Sequence, residues 1–65
     1  MDIWVIEWTT PNGFEGRMFT QAVNSVMAYE QFDEFRQNWE DPRIASADVR
    51  RATAEEIAEY EKEIA

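Results

Sequence analysis

The chain has no cysteine and no histidine among its 65 residues. Without cysteine there is no disulfide framework, no thiolate nucleophile and no zinc–thiolate site. Without histidine the commonest general base and the commonest metal ligand are both missing. Glycine and proline occur twice each, so Gly13 and Gly16 cannot build a Gly-rich phosphate loop. No internal repeat, linker or low-complexity segment interrupts the sequence. No apolar run approaches the ~18 residues of a membrane span. The first residues lack the basic, apolar and small-residue order of a secretory leader, so the expected location is a reducing cytoplasm. Positive charge is scarce as well: 6 Lys and Arg stand against 14 Asp and Glu, a net charge of −8. DNA, RNA and anionic membranes would repel such a chain, and any electrostatic partner should be basic.

Little catalytic chemistry survives these absences. Ser25 and Ser46 have no histidine to activate them. Only oxygen ligands remain for a metal, and the D-x-D-x-D-G loop of calcium sites does not occur. Glu40, Asp41 and Asp48 offer at most weak attraction for a cation. Paired carboxylates that hydrolyse glycosides need a substrate cleft between them, which a chain this short can hardly enclose. No cofactor, no metal and no catalytic residue is expected.

What is present reads as one small folded domain spanning residues 1–65. A chain of this length buries roughly 60% of its unfolded surface. With 45% hydrophobic residues it is too apolar to stay disordered. Residues 2–9, "DIWVIEWT", are rich in β-branched and aromatic side chains, the mark of a strand. Alternation places Trp4, Ile6 and Trp8 on one face and Ile3, Val5 and Glu7 on the other. "TPNG" follows as a tight-turn signal. A second strand runs from Phe14 to Phe19, with continuation to Val23 open, and completes a hairpin. Ala28, Phe32, Phe35 and Trp39 then fall in a ~60° sector at ~100° per residue, the stripe of a helix capped by Asn24 or Ser25, with a start as early as Gln21 open. Pro42 disfavours a helical Asp41, so the helix should stop near Glu40. Residues 43–51 alternate as a third strand, with Ile44 or Val49 inward. Thr53 and Glu56 form a capping box, and Ile57, Tyr60 and Ile64 make the seam of a short C-terminal helix.

The predicted order is β-β-α-β-α, an α+β fold with a three-stranded, mainly antiparallel sheet and the first helix packed on one face. The C-terminal helix is expected either to extend that helical layer or to lie at the sheet's edge. Trp4, Ile6 and Trp8 or Ile3 and Val5 would then be partly exposed unless that helix covers them.

Charge is segregated along this layout. Residues 24–41 carry −4 and residues 53–65 carry −4, whereas residues 42–52 carry +2. On the first helix Glu30, Asp33, Glu34, Glu40 and Asp41 point nearly opposite the apolar stripe. On the second, Glu55, Glu59 and Glu63 repeat at i, i+4 and i+8, away from its seam. Like charges at this spacing destabilise an isolated helix by a few tenths of a kcal/mol each. Their Cβ atoms stand roughly 5–6 Å apart, comparable to successive phosphates on one strand. A basic, phosphate-neutralising cleft would accept such a surface. The candidate partner-binding residues are therefore Glu30, Asp33, Glu34, Glu55, Glu59 and Glu63. The plainer reading is that an acidic surface keeps a small domain soluble. Arg43, Arg50 and Arg51 are better explained by pairing with the acidic helices inside the fold than by binding nucleic acid.

A leading hairpin, "WVIEWTTPNGFEGRMF", an acid-faced helix and a capped, Glu-rich tail together resemble the small inhibitors encoded by bacteriophages and mobile elements. Among these the chain most resembles the acidic anti-CRISPR proteins, several of which block DNA binding by the CRISPR surveillance complex. In element order it is also similar to small phage inhibitors of host RNA polymerase. The resemblance implies a non-catalytic inhibitor in a bacterial host cytoplasm, bound to a basic host complex and mimicking DNA by charge. It rests on size, charge and layout, so it transfers no functional residue. The alternative from another class is a phage accessory or assembly protein, a monomer or weak homodimer pairing through exposed Trp and Ile of the sheet.

Overall fold

The computed structural model describes residues 1–64, with the side chain of Ile64 outside the described residues. The elements are β1 (Asp2–Thr9), β2 (Glu15–Ala22), α1 (Ser25–Arg36), β3 (Ser46–Arg51) and α2 (Ala54–Ile64). They form the expected α+β arrangement in the order β-β-α-β-α. The sheet is antiparallel throughout, with spatial order β2-β1-β3, so the first strand is the central one.

The hairpin closes through Gly13 N–H to Thr10 O at 3.0 Å and Thr10 N–H to Phe14 O at 2.8 Å. Of the Asn12-Gly13 pair only Gly13 uses the left-handed region, at φ 91°. Pro11, with its fixed φ, follows Thr10 into the turn. Register pairs Trp4 with Thr20, Ile6 with Met18 and Trp8 with Gly16. The last pair matters, because a Cβ on Gly16 would lie 2.3 Å from the Trp8 ring. Only glycine lets the indole lie across β2.

Alternation puts Trp4, Ile6 and Trp8 under α1 as expected. Trp4 and Ile6 with Ala22, Ala28 and Phe32 build the main core, to which Trp8, Met18, Tyr29, Trp39, Ile44, Ala47 and Val49 add partly buried surface. Phe32 is fully buried and its ring stands 5.1 Å from that of Trp8. The Trp4 indole N–H donates to Ala22 O at 3.0 Å, which satisfies its buried polar atom. The buried Thr20 hydroxyl donates to Gln31 Oε1, and Gln31 Nε2 donates to Gln21 O at 3.0 Å. α1 is thereby tied to β2.

Asn24 caps α1, accepting from Met27 N–H at 2.9 Å. The helix ends at Arg36, before the expected stop near Glu40. Its end is tightened by 3₁₀-type bonds, Asn38 N–H to Phe35 O and Trp39 N–H to Arg36 O. The Asn38 side chain also donates to Glu34 O, capping one of the last carbonyls. Trp39 is consequently not a helical residue. It still packs within 5.3 Å of Trp8 and 5.7 Å of Phe35, ring to ring. Phe35 itself lies at the rim of the core and stays exposed. β3 begins at Ser46, later than the expected Arg43, yet both Ile44 and Val49 pack inward.

α2 neither extends the α1 layer nor lies at the edge. It covers the opposite face of the sheet. Tyr60 packs its ring 5.9 Å from Phe19, and Glu56 bonds Arg50 and Arg17. All three sheet residues share the face of Val5 by register. Val5 is fully buried in this second layer. The tryptophans and isoleucines proposed as an exposed sheet surface are thus covered: Trp4 and Ile6 are buried, and Trp8 and Ile3 partly so.

Candidate functional site

The six candidate carboxylates lie on two helices that sit on opposite faces of the sheet. Glu30 and Glu34 are exposed on α1, and Glu55, Glu59 and Glu63 are exposed on α2. Asp33 is half-buried and holds Arg36 at 2.8 Å, so part of its charge is already answered. The structure therefore brings Glu30, Asp33 and Glu34 together, and Glu55, Glu59 and Glu63 together. It does not join the two groups into one surface. Glu40 and Asp41, expected on the α1 ridge, lie beyond the helix. The Asp41 carboxylate binds Arg43 at 2.8 Å, and the guanidinium holds it well below the usual range, at about 2.

The arginines are turned to the chain's own carboxylates. Arg36 pairs with Asp33, Arg43 with Asp41, and Arg51 with Asp2 at 3.3 Å. Arg17 and Arg50 converge on Glu56, and Arg50 also reaches Glu7 at 3.3 Å. Arg36 further donates to Pro42 O at 2.7 Å, fastening the segment after α1. Of the pairing with the acidic helices expected for Arg43, Arg50 and Arg51, only that of Arg50 with Glu56 of α2 is present among the described residues. Arg43 and Arg51 pair instead with Asp41 beyond α1 and Asp2 of β1. The five arginines are paired within the chain, Arg43 and Arg51 at its exposed surface, and the outward helical faces keep their carboxylates.

Glu56 is the most fully built polar position. It is buried, and its Oε1 and Oε2 accept from Arg50 at 2.7 and 2.8 Å, a two-pronged bond. Oε1 also accepts from Thr53 N–H at 2.9 Å, while Glu56 N–H donates to the Thr53 hydroxyl at 3.2 Å. This is the reciprocal capping box read from "TAEE". The Arg50 guanidinium, followed by the Thr53 amide, depresses the carboxyl from 4.5 to about 2. The same contact raises the Arg50 guanidinium above its ordinary value. Sequence spacing predicted the cap but missed the ion pair, because Arg17 and Arg50 reach Glu56 only through the fold. Their side would have been legible from alternation, since both fall in the Val5 face of their strands.

Among the described residues, two of the shallow grooves flank the sheet. One is lined by Glu7, Thr9, Glu15, Ser46 and Asp48 around Trp8. The other runs between α1 and β3 and is lined by Ser25, Val26, Tyr29, Glu30 and Val49. Among the described residues no group of acids is arranged to hold a metal ion, and no helix is long and apolar enough to cross a membrane. Comparison with known protein families matches none, and comparison with curated proteins and with solved structures likewise gives no match.

Proposed function

We propose that the protein is a non-catalytic inhibitor that occupies a basic, nucleic-acid-binding surface of a host protein complex and blocks DNA binding by charge mimicry. One observation carries this reading: the arginines are spent on internal ion pairs, while carboxylates line the outward helical faces. Because the two helices back onto opposite faces of the sheet, a single flat partner surface meets one of them. α2 is the stronger of the two. Glu55, Glu59 and Glu63 repeat along one line, whereas on α1 Asp33 already holds Arg36. Glu30, Asp33 and Glu34 form the second, weaker surface. The host complex in this proposal is a CRISPR effector or, by the same chemistry, RNA polymerase.

The test is competition for DNA. Purified protein is added to type I and type II CRISPR effector complexes and to bacterial RNA polymerase, and target DNA is followed by mobility shift. The expected result is loss of the shifted band for one complex. Glu55→Gln/Glu59→Gln/Glu63→Gln should restore it, and Glu30→Gln/Asp33→Asn/Glu34→Gln should restore it less. Binding should weaken steeply as salt rises, since exposed charges are screened over about 10 Å at 0.1 M. No displacement from any of the three, or displacement indifferent to salt, would refute the proposal and leave the acids as solvation.

A further inference from the structure

β3 is an edge strand, paired with β1 on one side only. Its hydrogen-bonding direction follows from one bond. Ala52 N–H donates to Ile3 O at 3.0 Å, and the register continues through Arg50 with Val5 and Asp48 with Glu7. In an antiparallel ladder the bonded residues alternate. Even-numbered residues of β3 therefore point their backbone groups at β1. Ala47, Val49 and Arg51 point theirs at the free edge.

We propose that this edge pairs with β3 of a second copy of the chain, antiparallel and centred on Val49, to make a continuous six-stranded sheet. Charge complementarity selects both the occupant and the register. With the two-fold axis at Val49, Asp48 stands opposite Arg50 of the second copy, and Arg50 opposite Asp48 of the second copy. These fall at the positions without backbone bonds, where facing side chains are closest. Moving the axis to Asp48 sets two aspartates face to face, and moving it to Arg50 sets two arginines face to face. Like charges directly opposite are destabilising.

Asp48 also has a local reason to take a partner. It is exposed, it has no ion pair among the described residues, and its direct neighbour across the ladder is another acid, Glu7. Arg50 retains capacity for it. Of the five guanidinium N–H donors, Nε serves Glu7, Nη1 serves Glu56 and Arg51 O, and Nη2 serves Glu56. One hydrogen on Nη2 is left. The apolar groove of Val26, Tyr29 and Val49 borders the same edge, and Val26 is 66% exposed. Pairing at Val49 would bring two copies of that groove together. The other edge, β2, is a poorer candidate: Glu15 meets Arg17 of a second copy only when the axis lies at Gly16, where just the start of β2 overlaps. The N-terminal half of α1, with Glu30, borders this seam, whereas Glu55, Glu59 and Glu63 lie on α2 away from the groove.

The test is sedimentation equilibrium over a wide concentration range on the wild type and on Asp48→Lys, with amide hydrogen exchange on the same samples. The wild type should show a concentration-dependent dimer, with the Val49 amide protected as the dimer fills. Asp48→Lys turns two attractive cross-strand pairs into two repulsive ones and should weaken association by about tenfold or more. Its folded monomer should melt no lower than the wild-type monomer, because the introduced lysine would oppose Glu7 favourably, and this separates lost pairing from lost folding. A wild type that stays monomeric at every concentration, or an Asp48→Lys variant that associates as tightly as wild type, would overturn the proposal.

Discussion

The face of the sheet under α1 buries Trp4, Ile6, Ala22, Ala28 and Phe32 and adds a ring cluster of Trp8, Phe35 and Trp39. The face under α2 buries Val5, sets one ring pair between Phe19 and Tyr60, and places a charged clamp, Glu56 with Arg50 and Arg17. One helix is thus held mainly by apolar area, which carries no titrating group and is not weakened by electrostatic screening. The other is held largely by an ion pair and a cap, which respond to both pH and salt. In so small a domain the first face supplies most of the stability, and the second decides where the charged C-terminal helix sits.

The largest effect should come from deleting the centre of the first face. Phe32→Ala removes a fully buried ring, a loss of about 3–5 kcal/mol. A chain of this size has only ~3–5 kcal/mol to lose. The expected outcome in far-UV circular dichroism is an unfolded or marginally folded chain at room temperature. Tyr60→Ala on the other face should leave the sheet and α1 folded. A two-state loss of everything in Tyr60→Ala would show that the faces are not separable.

Next in size is Gly16→Ala. The added Cβ meets the Trp8 indole at 2.3–2.4 Å, so the ring must leave its place against Phe32 and Trp39. Overpacking of this kind costs about 1–3 kcal/mol. The near-UV signal of the tryptophans should change while the Phe19–Tyr60 side keeps its far-UV helicity. An unaltered tryptophan signal would mean that the aromatic cluster relaxes around the methyl group.

Acid should loosen the second face before the first, because the other strongly depressed carboxylate, Asp41, pairs with Arg43 in an exposed segment after α1. Glu56 is depressed in the folded state, from 4.5 to about 2. Its contribution is therefore fully present above about 4.5 and is lost as pH falls through the folded value. Amide exchange in α2 should accelerate between these limits, before that in α1. Glu56→Gln should show the same loosening at neutral pH and remove the acid dependence. If α1 and α2 open together at every pH, the clamp has no separate role.

How much of this was legible depends on whether a feature is local. The hairpin and the Thr53–Glu56 box are set by residues a few positions apart and read directly from the sequence, which also narrowed the α1 cap to Asn24 or Ser25 while leaving an earlier start open. The end of α1 does not, because periodicity continues through Trp39 while Asn38 and the 3₁₀ bonds stop the helix at Arg36. Trp39 keeps its core role by a different backbone route, which a helical wheel cannot distinguish. The side taken by α2 was hidden because it depends on Glu56 meeting arginines 39 and 6 residues away, from two strands. The acidic residues were legible singly. Their division between two opposite faces followed only from that placement.

The smallest predicted effect bears most directly on the acids. Glu55, Glu59 and Glu63 share one side of α2 at spacings that cost a few tenths of a kcal/mol per like-charged pair. Changing Glu59 to Gln relieves both of its i, i±4 repulsions without touching Glu56. Glu59→Gln should therefore raise the melting temperature slightly, by a few degrees at most in a domain this small. The gain should shrink as salt rises, because screening already relieves the repulsion. Glu56→Gln, one turn earlier on the same helix, should shift stability the opposite way. Opposite signs from two glutamates on one helix would separate a carboxylate that holds the fold from one that the fold tolerates. A drop in stability from Glu59→Gln would instead assign that ridge a structural role and weaken the case that it faces a partner.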